Sequence, residues 1–187
     1  MIYIRWISFV ILNVITNYLI NYPLAPIIVL FARKDGQLPN WLYWFCTPDN
    51  TLDGDVGWQT KYRPYLNEKN KYQRWVNRFS WLHRNKMYGF SEQILGIKYK
   101  GGERLEVVGD TAVSNDPVGH SGTVVRYLYR SNKKIAFHYY YIRQYKSHPN
   151  KCIRISFGWK LWNFGIKPEP AATFGFSLSP WMHYIVA

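Results

Sequence analysis

Asp49–Thr60 (DNTLDGDVGWQT) carries the spacing closest to a known chemistry. Asp49, Thr51, Asp53, Gly54 and Asp55 fall on positions one, three, five, six and seven of a calcium loop. The twelfth position, Thr60, is not the bidentate glutamate such a loop uses, and no helix is expected just before it. The same stretch serves better as a rigid structural turn of Pro48, Asp49, Asp53, Gly54 and Asp55, its aspartates accepting from backbone amides. A second set, Asp110, Asp116 and His120, would suit a metal-dependent nuclease or phosphatase if the fold gathered it around ions. His120, in PVGHSG, is the best single acid–base candidate, although a histidine in such a loop is more often an ordinary surface residue. No P-loop, nucleophile elbow or dinucleotide fingerprint occurs. The expectation is a protein that binds rather than catalyses, with no metal site and no cofactor.

The clearest signal is electrostatic. The 187 residues hold 24 Lys+Arg against 11 Asp+Glu, a formal charge of +13, a field that attracts anionic lipid or nucleic acid. No acidic residue lies between Asp116 and Glu169, an interval that holds Arg126, Arg130, Lys133, Lys134, Arg143, Lys146, Lys151, Arg154, Lys160 and Lys167. Tyr127, Tyr129, Tyr139, Tyr140, Tyr141 and Trp162 are interleaved with them. Cations beside stacking aromatics on a sheet hold single strands of nucleic acid. Held near a bilayer, the same cations attract anionic headgroups at about 1 kcal/mol each. Arg126, Arg130, Lys133, Lys134, Arg143, Lys146, Arg154 and Lys160 are the polyanion-binding candidates. The plain alternative is that they scatter over every outer face.

The elements that would position these residues begin with Trp6–Ala32, which has no charged residue and exceeds the roughly 20 residues needed to cross a bilayer. Asn13, Asn17 and Asn21 recur every fourth residue and form one polar stripe on a helix, suited to a helix–helix contact or an oligomer. Pro23 and Pro26 break or kink the helix, so a kinked span, a re-entrant segment and a buried helix all remain open. Arg33 and Lys34 follow, then Trp41, Tyr43, Trp44 and Phe45; together they read as a membrane interface, with a core cluster as the alternative. The basic pair favours a cytoplasmic C-terminal side, against the pull of Arg5.

Asn67–Asn85 has helical periodicity, with Tyr72, Trp75, Val76, Phe79, Leu82 and His83 on one face, Asn67-Glu68 at its start and Gly89 at its end. After Ser91 the period becomes two. Ile94–Lys100 and Arg104–Val108 flank Gly101-Gly102 as a hairpin; Thr123–Arg130, Lys134–Tyr145, Cys152–Leu161 and Thr173–Leu178 follow, with a break at Lys167–Pro170. The fold class is α+β: an N-terminal apolar helix expected to be transmembrane, one amphipathic helix, and about six antiparallel strands that could curl into a barrel. Residues 1–36 form the anchor, 37–66 the aromatic–acidic connecting turn, and 67–187 the basic helix-plus-sheet domain. Cys46 and Cys152 are compatible with a disulfide or with free thiols.

The series PLAPIIVLFA, LPNWLYWF, TPDNTLDGD and RFSWLHRNKMYGFS, in the first half of the chain, resembles a family of small tailed-phage or prophage membrane-associated proteins of unknown function. The resemblance implies a phage source and carries no catalytic residue across. The expectation is a membrane-associated accessory protein at the host inner membrane, meeting anionic lipid or a host or phage protein. Two alternatives are a virion or ejection component with its apolar segment buried in an assembly, and a nucleic-acid-binding protein.

Overall fold

The computed structural model describes residues 1–47, 50–62, 70–113, 120–162 and 171–184. The chain divides into two compact units, Ser8–Ile94 and the pair Met1–Ile7 with Leu95–Ala187. The architecture is α+β, as expected.

Helix α1 (Ile2–Thr16) runs through a π-helical turn (Asn17–Asn21) into α2 (Tyr22–Ile28) and a 3-10 turn (Val29–Phe31). The run Ile2–Phe31 is long and apolar enough to cross a bilayer. Further short helices occupy Asn40–Phe45, α3 (Val56–Tyr62), α4 (Lys71–Arg84) and α5 (Tyr88–Gln93). The amphipathic helix starts at Lys71, where the Asn70 side chain accepts from the Tyr72 and Gln73 amides. Asn67-Glu68 lies outside the described residues. Gly89 does not end α4; it sits inside α5, its amide bonded to the Cys46 carbonyl at 2.9 Å. Helix α4, expected with the sheet, packs instead on α2 within the unit that holds most of the apolar segment.

Proline explains part of that packing. Pro26 has no N–H to give the Tyr22 carbonyl four residues back, and that carbonyl instead meets His83 Nε2 at 3.2 Å. A carbonyl can only accept, so the ring carries its proton on Nε2. Trp75 Nε1 donates to the Pro26 carbonyl at 2.9 Å, and Asn21 Nδ2 donates to the Leu82 carbonyl at 3.2 Å. The kinked segment is thus stitched to α4 wherever its own helical bonding is interrupted.

Around Arg78 the unit closes on itself. Nε and Nη2 donate to the two carboxylate oxygens of Asp53 at 2.7 and 2.9 Å, while Nη1 and Nη2 donate to the Arg33 and Lys34 carbonyls at 3.1 Å. A bidentate guanidinium–carboxylate pair with two further donors bonded to carbonyls is the arrangement that tolerates burial. Gly54 takes φ +86, and its α-carbon lies against the Trp58 side chain, leaving no room for a β-carbon. Trp58 Nε1 donates to Asn77 Oδ1 at 2.8 Å, and the Trp58 ring meets Trp81 edge-on.

In the other unit, β1 (Ile97–Lys98) pairs with β6 (Ala171–Ala172). The five-stranded antiparallel sheet comprises β2 (Arg104–Gly109), β3 (Gly122–Arg130), β4 (Lys133–Gln144), β5 (Lys151–Trp159) and β7 (Phe174–His183) in the order β2-β3-β4-β5-β7. The sheet stays open rather than closing into a barrel, since β2 and β7 do not pair. The expected hairpin across Gly101-Gly102 does not form, because β1 takes its partner from the far end of the chain. The β3–β4 hairpin does form, through Ser131 and Asn132 with φ of 48° and 60°, the two left-handed residues a type I′ turn needs. Cys152 is buried in a core with Val113, Val124, Tyr140, Ile142 and Tyr184, and both cysteines are free.

Arg78→Met would strand the Asp53 carboxylate and two backbone carbonyls. A loss of about 3 kcal/mol is expected, read as a lower urea midpoint at unchanged slope by circular dichroism.

Candidate functional site

Two places in the described structure put side chains where ordinary folding would not. The first is the outer surface of the apolar segment in the Ser8–Ile94 unit. The inward side of that segment carries Thr16, Asn17, Asn21, Ala25, Ile28 and Val29, all buried. Asn17 Nδ2 donates to Asn13 Oδ1, which also accepts from Ser91 Oγ. The outward side carries Ile11, Ile15, Tyr18, Leu19, Ile27 and Leu30, with Leu19 and Leu30 each 71% exposed. This inverts the pattern of a helix on a water-facing protein, where amides face out and branched aliphatics face in. The stripe meets the chain's own helices, so its contacts need no second copy.

The interface residues are split by the fold. Trp41, Tyr43 and Trp44 are exposed, whereas Phe45 is buried. Trp41 meets Phe31 edge-on with centroids 5.3 Å apart, which joins the aromatic cluster to the bare face. Tyr43 donates to Glu92 Oε2 at 3.2 Å; partial burial, then the Glu92 charge, raises its phenol above the ordinary range. The side chains of Arg33 and Lys34 are exposed at the end of the apolar run.

Strand register places the second site. Arg126 on β3 stands directly opposite His138 on β4, and Ser156 on β5 stands opposite Tyr140. These residues and Arg154 share one face of the pleat. His138 is 1% exposed and Arg126 9%. The His138 Nε2 and Ser156 Oγ atoms are 3.0 Å apart. The Arg126 guanidinium lies 3.6 Å from the centre of the Trp162 ring, and the same ring meets His138 and Tyr140 edge-on. Arg126 Nη1, His138 Nδ1 and Arg154 Nε are buried with no hydrogen-bond partner. Burial lowers Arg126 to about 10. Burial first, then the charges of Arg126 and Lys160, lowers His138 to about 3, so the ring is neutral at pH 7. Stacking on a desolvated indole returns about 2 kcal/mol, less than the several kcal/mol that burying a cation costs. No carboxylate faces this group among the described residues.

The other basic candidates go elsewhere. Arg130 is committed to Glu103 Oε1 at 2.9 and 2.6 Å and to the Lys98 carbonyl. Lys133 and Lys134 open β4 after the β3–β4 turn, with Lys134 Nζ 3.4 Å from the Tyr127 ring centre. Arg143 lies on the opposite face of β4 from Arg126 and is exposed, as is Lys146, whereas Lys160, also exposed, lies near His138 at the end of β5. The cations therefore do not share one face. The burial of Arg78 and Arg126 was the missed feature; only the apolar neighbours of Arg126 in the alternating pattern hinted at it.

The acidic candidates are also placed. Asp53 is held by Arg78, and Asp55 Oδ1 accepts from the Trp58 amide at 2.7 Å, capping α3. Pro48, Asp49 and Asp116 lie outside the described residues. Asp110 Oδ2 and His120 Nε2 are 2.5 Å apart on an exposed loop. Hydrogen bonding from His120 holds the Asp110 carboxyl below its usual range. Ser121 Oγ is turned away, accepting from the Gln144 amide at 3.0 Å. No group of three metal-ligating side chains occurs among the described residues.

His138 gives a pH prediction. Its folded value lies below the unfolded one, so the unfolded chain binds the proton first and stability falls as pH drops from about 6.5 toward 3. The slope from this one group reaches roughly 1.4 kcal/mol per pH unit. His138→Gln should flatten the fall between pH 6.5 and 5 in urea titrations.

No curated protein and no solved structure matches the chain. Residues 1–185 match the model of DUF7338, a family of unknown function, and the chain belongs to that family.

Proposed function

We propose that this chain is a membrane-associated accessory protein that acts by binding, held to one leaflet by the bare face of its apolar segment. The observation that supports this is the inverted amphipathicity: amides inward on α4 and α5, aliphatics outward, with no charge from Trp6 to Ala32. Polar side chains that face protein while apolar ones face out are what a hydrocarbon surrounding favours.

The segment lies along the interface rather than crossing alone. Its inner side is bonded to α4 through Leu82, His83 and Trp75, and α4 also carries Lys71, Arg74 and Arg84. Drawing α2 to the bilayer centre would take those cations with it, at a cost of about 3 kcal/mol for each. An in-plane helix buries one face to about 5–10 Å, with Trp41, Tyr43 and Trp44 at headgroup depth and Arg33 and Lys34 among the phosphates. The Arg33-Lys34 pair supports the cytoplasmic leaflet of the host inner membrane, whose anionic lipids attract such a basic pair. The tailed-phage or prophage source rests on the sequence motifs alone.

Leu19→Glu tests the reading, since the residue is exposed and its replacement leaves the fold intact. Flotation with vesicles containing phosphatidylglycerol should fall by roughly tenfold or more, while the urea midpoint stays unchanged. Unchanged flotation would refute membrane attachment through this face; particle co-purification without lipid binding would favour a virion component.

A further inference from the structure

The geometry points to an oxyanion site on the sheet, in which Arg126, Lys160 and Ser156, grouped around His138, bind a phosphate group of the monoester type. This goes beyond the membrane reading and does not depend on it.

Four placements converge. The Arg126 guanidinium rests on Trp162, and Trp162 also touches His138, so the cation sits over the middle of β4. Its Nη1 is buried without a partner. His138 approaches Ser156 through Nε2 and leaves Nδ1 buried and unpartnered. The Lys160 methylenes pass over Gly175, where an added β-carbon would stand 3.6 Å from Cε, and Gly175 pairs with Gly158 in the strand next to His138. Gly158 has φ +111, and the Phe137 carbonyl lies against its α-carbon, so no side chain can enter there. Gly158 thus lets the Phe137 backbone approach closely, and Gly175 lets the Lys160 chain lie along the strand. Arg154 adds a further cation on the same face, with Ser177 and Ser179 opposite Ser156 and Arg154 on β7.

The chemistry selects an anion. The Arg126 and Arg154 guanidiniums share this face with a neutral imidazole and hydroxyls, and neither has a carboxylate partner among the described residues. Buried polar groups are normally satisfied, and a planar guanidinium matches phosphate oxygens with paired donors. The neutral ring can donate through one nitrogen without adding charge. The phosphate could be free or belong to a monoester headgroup such as phosphatidic acid, and the same atoms would hold either.

The test is thermal unfolding of the full chain against inorganic phosphate at ionic strength fixed with chloride. A saturable rise in Tm is expected, with the apparent Kd weakened tenfold or more by Arg126→Gln and several-fold by Lys160→Gln and Ser156→Ala. A second arm uses phosphatidylcholine vesicles with and without phosphatidic acid. No response to phosphate together with an Arg126-dependent gain from phosphatidic acid assigns the headgroup; a response to phosphate assigns the free ion. If Arg126→Gln does not fold, the other two variants and the 31P line width of phosphate on the wild type decide. Equal Tm in phosphate and chloride with no gain from phosphatidic acid, or a phosphate response untouched by the variants, overturns the site. Leu19→Glu leaves the phosphate response intact, so failure of the membrane reading is distinguishable.

Discussion

Asn21 is fully buried and donates to the Leu82 carbonyl across sixty-one positions of sequence. A lone amide of this kind would be costly inside hydrocarbon or a dry core without a partner. Its bond fixes which side of the π-helical turn faces α4, and the helical period then fixes the rest. Asn13 and Asn17 follow Asn21 inward, Ala25 and Ile28 close against α4, and the aliphatics are left outside. The bare face is a consequence of giving the Asn17 and Asn21 side-chain N–H groups and the Asn13 oxygen their partners. Arg78 holds the next segment in the same unit, drawing Asp53 and the Arg33 and Lys34 carbonyls to one guanidinium.

The sheet unit faces the opposite problem. Its aromatics pack on one another: Tyr139 stacks on Phe157 at 4.6 Å, and Tyr3 and Trp6 meet Phe137 on the same face. Trp159 is fully buried and donates to the Leu95 carbonyl. On the other face the apolar core gives way to a buried guanidinium stacked on the Trp162 indole. A cation kept there at a cost to stability is a functional expense, and the oxyanion site accounts for it.

Local pattern made much of this legible. Strict alternation identified β5, left-handed residues at Ser131-Asn132 matched their hairpin, and the asparagine stripe was visible as a stripe. What escaped were partners distant in sequence. Gly101 and Gly102 do adopt positive φ, so the turn chemistry was read correctly, yet β1 pairs with Ala171–Ala172 and no local signal announces that. Arg78 carries no local sign of its burial because Asp53, its partner, belongs to a different element. Arg126 looked like one surface cation among ten, since burial of a charge depends on which strands flank it. The asparagines suggested a helix–helix contact, and α4 and α5 supply one.

The central claim is that one side of the apolar segment touches lipid while the other touches α4. Photocrosslinking reads this directly, with benzoylphenylalanine placed in turn at Leu19, Ile27 and Leu30, and at Tyr72 on the exposed side of α4, in vesicle-bound protein. The account predicts lipid adducts at the first three positions and none at Tyr72. Lipid adducts at Tyr72 as well would mean that α4 is immersed and the segment crosses the bilayer, and adducts to protein alone at Leu19, Ile27 and Leu30 would mean that this face is covered by another chain; either result contradicts it.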